Sequence, residues 1–182
     1  YRGGGVIEPQ VKKQWFIGVH IPFASPKGMT TLKQWMKTVV ESGEVKIIPE
    51  HFEKTYLHWI ENLRDWCISR QIWFGHRIPV WYRGEEIHCG FDAPKDPEWT
   101  QDTDVLDTWF SSSLWTLSTL GWPEKTKDMR SYHPTAVLET GYDILPFWVA
   151  RMILMSGFHL GHVPFKKVYL HGLVRDKEGR KI

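Results

Sequence analysis

Residues 135–171 read TAVLETGYDILPFWVARMILMSGFHLGHVPFKKVYLH, and this stretch decides the fold. Thr135 to Glu139 is a run of strand length, Gly141 opens a turn, and Ile144 to Phe158 is apolar over helix length, with Trp148, Met152 and Met155 inside it. Gly161 to Pro164 supplies a loop, and Lys167 to His171 a second short strand. A strand, a helix and a second strand in that order form a crossover connection. The two strands therefore run parallel, and the fold class is α/β.

In an open parallel sheet ligands gather beyond the carboxyl ends of the strands. Thr140, Gly141 and Asp143 fall there after the first strand, and His171 and Gly172 after the second. A glycine lets a ligand approach the backbone, and a carboxylate at this point accepts hydrogen bonds from ribose hydroxyls. Asp143 also suits a plain helix cap, and the two roles coexist. His159-Leu160-Gly161-His162 has the letters of a nucleotide motif, but it follows a helix and precedes a strand. Its backbone N–H groups would not face a phosphate, so it reads as a turn. The basic terminal run from Arg175 to Lys181 suits a solvated loop, or a mobile cationic loop that neutralises a triphosphate.

Upstream, Met29, Leu32, Met36, Val39 and Val40 recur at helical spacing, which predicts a helix over Gly28 to Ser42 with Gly43 as its left-handed stop. Val45 to Ile48 is a short β-branched run ended by Pro49. Phe52, Tyr56, Ile60, Leu63 and Cys67 predict one long helix over His51 to Arg70. Gln14 to His20 and Ile78 to Tyr82 read as strands. Residues 83–103 are polar and read as a surface insertion, and Val105 to Leu120 is rich in Ser, Thr and Trp. Trp109 and Trp148 taken singly are core residues by default; together they suggest a pocket.

Composition closes off other classes. With 23 Lys plus Arg against 21 Asp plus Glu, a net charge of +2 is too small to hold nucleic acid by charge alone. Two cysteines, Cys67 and Cys89, make neither a disulfide scaffold nor a paired metal site, and they point to a reducing compartment. No apolar run is long enough to span a membrane, so a cytoplasmic location with no membrane partner is expected. Tyr1 at the start, the Gly3-Gly4-Gly5 joint and the polar end suggest a piece of a longer protein. The 11 tryptophans are far above ordinary usage.

Four stretches now carry a resemblance: DWCISRQIWFGHRIPVWY (65–82), DVLDTWFSS (104–112), GYDILPFWVARM (141–152) and HGLVRD (171–176). In this order they are similar to the class I aminoacyl-tRNA synthetases, and most of all to the valyl-tRNA synthetases. The Gly179-Arg180-Lys181-Ile182 end resembles the front of that family's Lys-Met-Ser-Lys-Ser loop. The resemblance covers nearly the whole chain from Val6 onward. Thr108, Ser111, Ile144 and Phe147 side with the valine enzymes against their isoleucine relatives.

The resemblance implies the C-terminal half of a Rossmann-like parallel-sheet catalytic domain over 14–182, with 83–103 as a short insertion. It makes 1–13 the return arm of an editing insertion. It implies Trp109, Ile144 and Trp148 as walls of an aliphatic pocket, and Thr140, Gly141 and Asp143 against the adenylate and its ribose. His171 and Gly172 fall to the ATP side, Lys181 to catalysis, and Arg70, Trp73 and His76 to the mouth where tRNA enters. The implied ligands are valine, ATP with Mg2+, and the tRNA for valine. No zinc is expected, because the insertion holds only Cys89. The family's His-x-Gly-His signature and editing domain are missing from the chain, so little activity is expected of it alone, and its open sheet edge invites self-association. The editing domain matters because an apolar pocket cannot strongly reject an isosteric hydroxyl compound such as threonine. Two other readings stay open: a non-catalytic RNA-binding module stacking bases on Arg70, Trp73, His76 and Arg77, and an isoleucine-specific relative.

Overall fold

The computed structural model describes residues 4–6, 8 and 10–182. The expected glycine joint and return arm therefore lie partly outside the described residues. An extended lead-in reaches β1 (Phe16–Ile17). β2 (Pro22–Ser25) and β3 (Gly28–Thr31) then form an antiparallel hairpin. Gly28 takes φ +107° at its turn, where the Ser25 hydroxyl donates to the Gly28 carbonyl. Thr31 ends the hairpin and caps α1 (Leu32–Glu41) by accepting the Gln34 N–H. The helix thus starts at Leu32 and not at Gly28, because residues 28–31 have strand partners and Met29 faces water. Leu32, Trp35, Met36, Val39 and Val40 form its buried face, and Gly43 at φ +74° stops the chain as expected.

β4 (Lys46–Ile48) leads into α2 (His51–Glu61). The helix ends well short of Arg70. β5 (Trp66–Cys67) pairs with β1, and β6 (Ser69–Arg70) pairs with β10 (Val105–Leu106), so distant strand partners override a helical pattern that was real only as far as Leu63. Between them the expected insertion is an antiparallel ribbon. β7 (Val80–Arg83) lies between β8 (Glu86–Cys89) and β9 (Thr100–Gln101). Its alternation is hidden because most of β8 is exposed on both faces.

After β10 come the short helices α3 (Thr108–Ser113), α4 (Trp115–Ser118) and α5 (Lys127–Tyr132). β11 (Thr135–Gly141) follows, then a 3-10 turn over Tyr142–Ile144 and a wide π turn over Leu145–Val149. α6 (Ala150–Leu160) is closed by Gly161 at φ +71°, and β12 (Phe165–His171) ends the crossover. His159 to His162 is thus the turn expected of it.

The strands β11, β12 and β4 make one parallel sheet in that order, with Leu138 opposite Val168 and Val168 opposite Ile47. Leu138, Thr140, Phe165, Val168, Leu170 and Ile47 are buried, in one core with the inner faces of α1 and α6. Each of the apolar side chains among them contributes roughly 1.5–3 kcal/mol by leaving water. α1 and α6 touch closely: the Trp35 indole donates to the Ile153 carbonyl, and a Cβ on Gly157 would collide with that indole. The opposite face of the sheet leaves Val137, Glu139, Lys167 and Tyr169 in water. Among the described residues, no helix is long and apolar enough to cross a membrane.

Candidate active site at the carboxyl end of the sheet

β11 and β12 end in register, Gly141 opposite His171. A Cβ on Gly141 would lie 2.8 Å from an Asp143 carboxylate oxygen and 3.2 Å from the Leu173 side chain, so any larger residue here would have to displace Asp143. Thr140, one residue earlier, is buried in the sheet. Asp143 stands on the 3-10 turn and takes the Lys181 ammonium at 2.7 Å. That hydrogen bond holds the Asp143 carboxyl below the usual carboxylate range, with burial opposing it. His171 contacts the Gly172 carbonyl through Nδ1 at 2.6 Å and lies 3.6 Å from Glu139 through Nε2. Beyond it Gly172 faces open space.

The terminal basic run folds back as a small hairpin. Asp176 accepts the backbone N–H groups of Glu178 and Arg180 and pairs with the Arg180 guanidinium, while Arg175 donates to the Gly179 carbonyl and to the Tyr142 hydroxyl. A bridge between Arg175 and Lys181 completes the turn and carries Lys181 onto Asp143. The run is solvent-exposed, as a solvated loop would be, and is held in shape by its own hydrogen bonds. Tyr142 is itself stacked on Phe52, with ring centroids 5.5 Å apart.

Beside this ionic edge lies an aromatic recess of about 300 Å3, lined by Trp109, Ser112, Trp115, Ile144 and Trp148. The three residues named from sequence meet here. Trp109 comes from α3, while Ile144 and Trp148 come from the chain leaving β11. The Trp148 indole donates to the Ser112 carbonyl at 2.9 Å, and Trp115 meets the Trp148 ring edge-on at 5.9 Å. Sequence reasoning missed Ser112 and Trp115. The signal was present for Ser112, since it lies one helical turn on from Trp109.

What seats α3 is Asp107, a buried carboxylate. One of its oxygens accepts the Trp109 N–H as a helix cap; the other accepts the Trp66 indole at 3.0 Å and the Arg70 guanidinium at 2.9 Å. Arg70 also donates to the Cys67 and Ser69 carbonyls. Of the three residues assigned to the mouth, Arg70 is therefore turned onto Asp107. Trp73 is 97% exposed, and His76 is exposed on the same loop. Phe74, beside Trp73, is 86% exposed and was not singled out from sequence.

A hollow of about 370 Å3 is lined by Trp66, Arg70 and Arg151, and two larger ones lie away from these residues. One is beneath the lead-in, where Asp102 accepts from the Trp15 indole and the Tyr82 hydroxyl; the other is at the amino end of the sheet beside His133 and His162. The half-buried His133 ring is pushed down to about 4 by burial. Among the described residues, no group of three or more His, Cys, Asp or Glu side chains could hold a metal ion.

The family described as tRNA synthetases class I (I, L, M and V) matches residues 5–96 and 92–182. A valine–tRNA ligase of Bacillus subtilis (strain 168) is 52% identical across 100% of this chain, one of Anoxybacillus flavithermus 54% across 100%, and one of Protochlamydia amoebophila 51% across 97%. The chain spans only about a fifth of the length of these curated relatives, 19% to 20%. Among solved structures, the apo form of Mycobacterium tuberculosis methionyl-tRNA synthetase superposes with a TM-score of 0.55 at 18% identity, covering 88% of this chain and 27% of its own. A LeuRS–tRNA–LeuAMS complex from Agrobacterium radiobacter K84 gives 0.54 at 20% identity, over 69% of this chain and 22% of that one. At these identities the two structures support the fold.

Proposed function

The chain belongs to the class I tRNA synthetases, and on that footing we propose that its parent protein is a valine–tRNA ligase, of which this chain is the second half of the catalytic domain. Residues 14–182 are that half-domain, 83–103 its ribbon insertion and 1–13 the return arm of an editing insertion. The observation that carries the reading is the recess of Trp109, Ile144 and Trp148 lying beside the Asp143–Lys181 pair in a chain so close to valine–tRNA ligases. A small apolar recess suits a branched aliphatic side chain, and a paired carboxylate and ammonium suit a nucleotide.

In the proposed reaction a carboxylate oxygen of valine attacks the α-phosphorus of ATP, and the bond to the pyrophosphate oxygen breaks. No proton moves through the protein, so positioning and charge neutralisation carry the rate. Thr140, Gly141 and Asp143 hold the adenylate and its ribose, and His171 and Gly172 lie on the ATP side. Lys181 leaves Asp143 for the phosphates, with Mg2+ arriving on ATP. The exposed Trp73 and His76 receive the tRNA end, with Arg70 shaping the loop beneath them. The enzyme works in the cytoplasm beside its tRNA.

ATP–pyrophosphate exchange tests this reading. The full-length parent exchanges with valine in preference to isoleucine, whereas the isolated chain stays near background. Robust exchange by the isolated chain would defeat the half-domain reading, and an isoleucine preference would defeat the valine reading. The exposed Trp73 and Phe74 also favour a second reading, a plain RNA-binding module. Binding to the tRNA for valine and to unrelated single-stranded RNA across a salt series separates the two, since the module shows a steep slope with no tRNA preference. β11 has no strand on its outer side among the described residues, and the sheet's second face is bare, so the isolated chain self-associates in sedimentation runs.

A further inference from the structure

Arg151 stands in the first turn of α6, half-buried. Its guanidinium carbon lies 4.2 Å from the centroid of the Trp66 ring, 5.7 Å from that of Phe147 and 5.9 Å from that of Trp109. Among the described residues it forms no salt bridge, and its one hydrogen bond goes to the Phe147 carbonyl at 3.3 Å. Asp107 attracts it through space but is already engaged by Arg70, the Trp66 indole and the Trp109 N–H. Burial accordingly pushes the Arg151 guanidinium below its ordinary range, and the like charge of Arg70 adds to this.

A half-buried cation without a paired anion is costly, and a leucine or methionine would fill the same volume without that cost. The compensation on hand is the faces of aromatic rings. Of these rings, Trp66 is already fixed by its indole bond to Asp107. Trp109 has no indole hydrogen bond among the described residues, so its plane rests on packing: against the core, Phe147 at 6.0 Å and Arg151 at 5.9 Å. The cation bridges a ring that is pinned and a ring that is not.

We infer that Arg151 is a positioning residue for Trp109, fixing through the ring planes the width of the recess that receives the amino-acid side chain. This rests on the reading of the recess given above. The test uses the full-length enzyme with Arg151→Met and Arg151→Lys, measuring KM for valine, KM for ATP and the valine-over-isoleucine ratio in pyrophosphate exchange. Arg151→Met keeps the volume and removes the charge; it raises the valine KM about tenfold, narrows the ratio and leaves the ATP KM unchanged. Arg151→Lys keeps a charge without the planar face and recovers part of the loss.

A folded Arg151→Met enzyme with wild-type valine KM and ratio overturns the inference, as does a rise in both KM values together. If Arg151→Met fails to fold, Arg151→Lys decides alone: a raised valine KM at an unchanged melting temperature upholds the inference, and an unchanged KM overturns it. A wild-type enzyme that prefers another amino acid sinks the valine reading only. The role of Arg151 is then scored in the same way on the KM of that amino acid.

Discussion

The aromatic recess and the ionic edge leave the same strand end and are held by opposite means. In the recess, Trp148 hangs from a backbone carbonyl of α3, and α3 is seated by a buried carboxylate with three donors. At the edge, Lys181 and Asp143 pair across a partly exposed surface, with side-chain exposures of 59% and 31%. Buried polar bonds are expensive to break, whereas exposed ion pairs are exchanged cheaply for water or another anion. The recess is therefore fixed by bonds that are costly to break, and the edge by a pair that exchanges cheaply.

Removing the seat of the recess gives the largest effect. Asp107→Ala strips the α3 cap and strands the buried Trp66 indole, for a loss of about 3 kcal/mol in urea denaturation. A loss under about 1 kcal/mol would mean that α3 is seated by packing and not by Asp107. Next is Trp148→Phe, which keeps an aromatic wall but forfeits the bond to Ser112. It costs about 1–2 kcal/mol by the same measurement and raises the valine KM of the parent enzyme.

The edge responds in the reverse sense. Lys181→Met changes stability by less than about 0.5 kcal/mol, yet lowers pyrophosphate exchange by the parent roughly 100-fold. A stability loss as large as that of Asp107→Ala would erase the contrast between the two regions. The smallest effect is one of pH. The Asp143 carboxyl titrates below its ordinary value in the folded chain, so what the pair contributes is present above the ordinary carboxylate range and lost as pH falls through the depressed value. Carboxyl-carbon NMR shifts should follow this titration, and either Lys181→Met or added salt should return it toward normal.

The crossover was legible in the chain because its signals are local. Gly141 and Asp143 could be placed at the strand end because a turn and a helix follow at once, and the strand itself runs only as far as Gly141. The misreadings are long-range. Trp66 to Arg70 continues the helical pattern of α2, but its partners are Phe16–Ile17 on one side and Val105–Leu106 on the other, and nothing near it in sequence announces either. Met29 fits a helical stripe until the hairpin claims it. The same distance hid the footing of the site. Asp107 draws no role from its neighbours in sequence, and Arg70 is assigned to a mouth, until the fold places one against the other.

Trp109 is rooted in α3, while Trp148 stands on the turn that runs into α6 and is tethered to α3 through Ser112, so the two sides of the recess rest on two elements joined by one bond. A sideways displacement of α3 carries Trp109 directly and reaches Trp148 only through that one hydrogen bond. Trp148 and Arg151 both belong to the stretch that leads into and opens α6, so the calibre of the recess is a joint property of α3 and the start of α6.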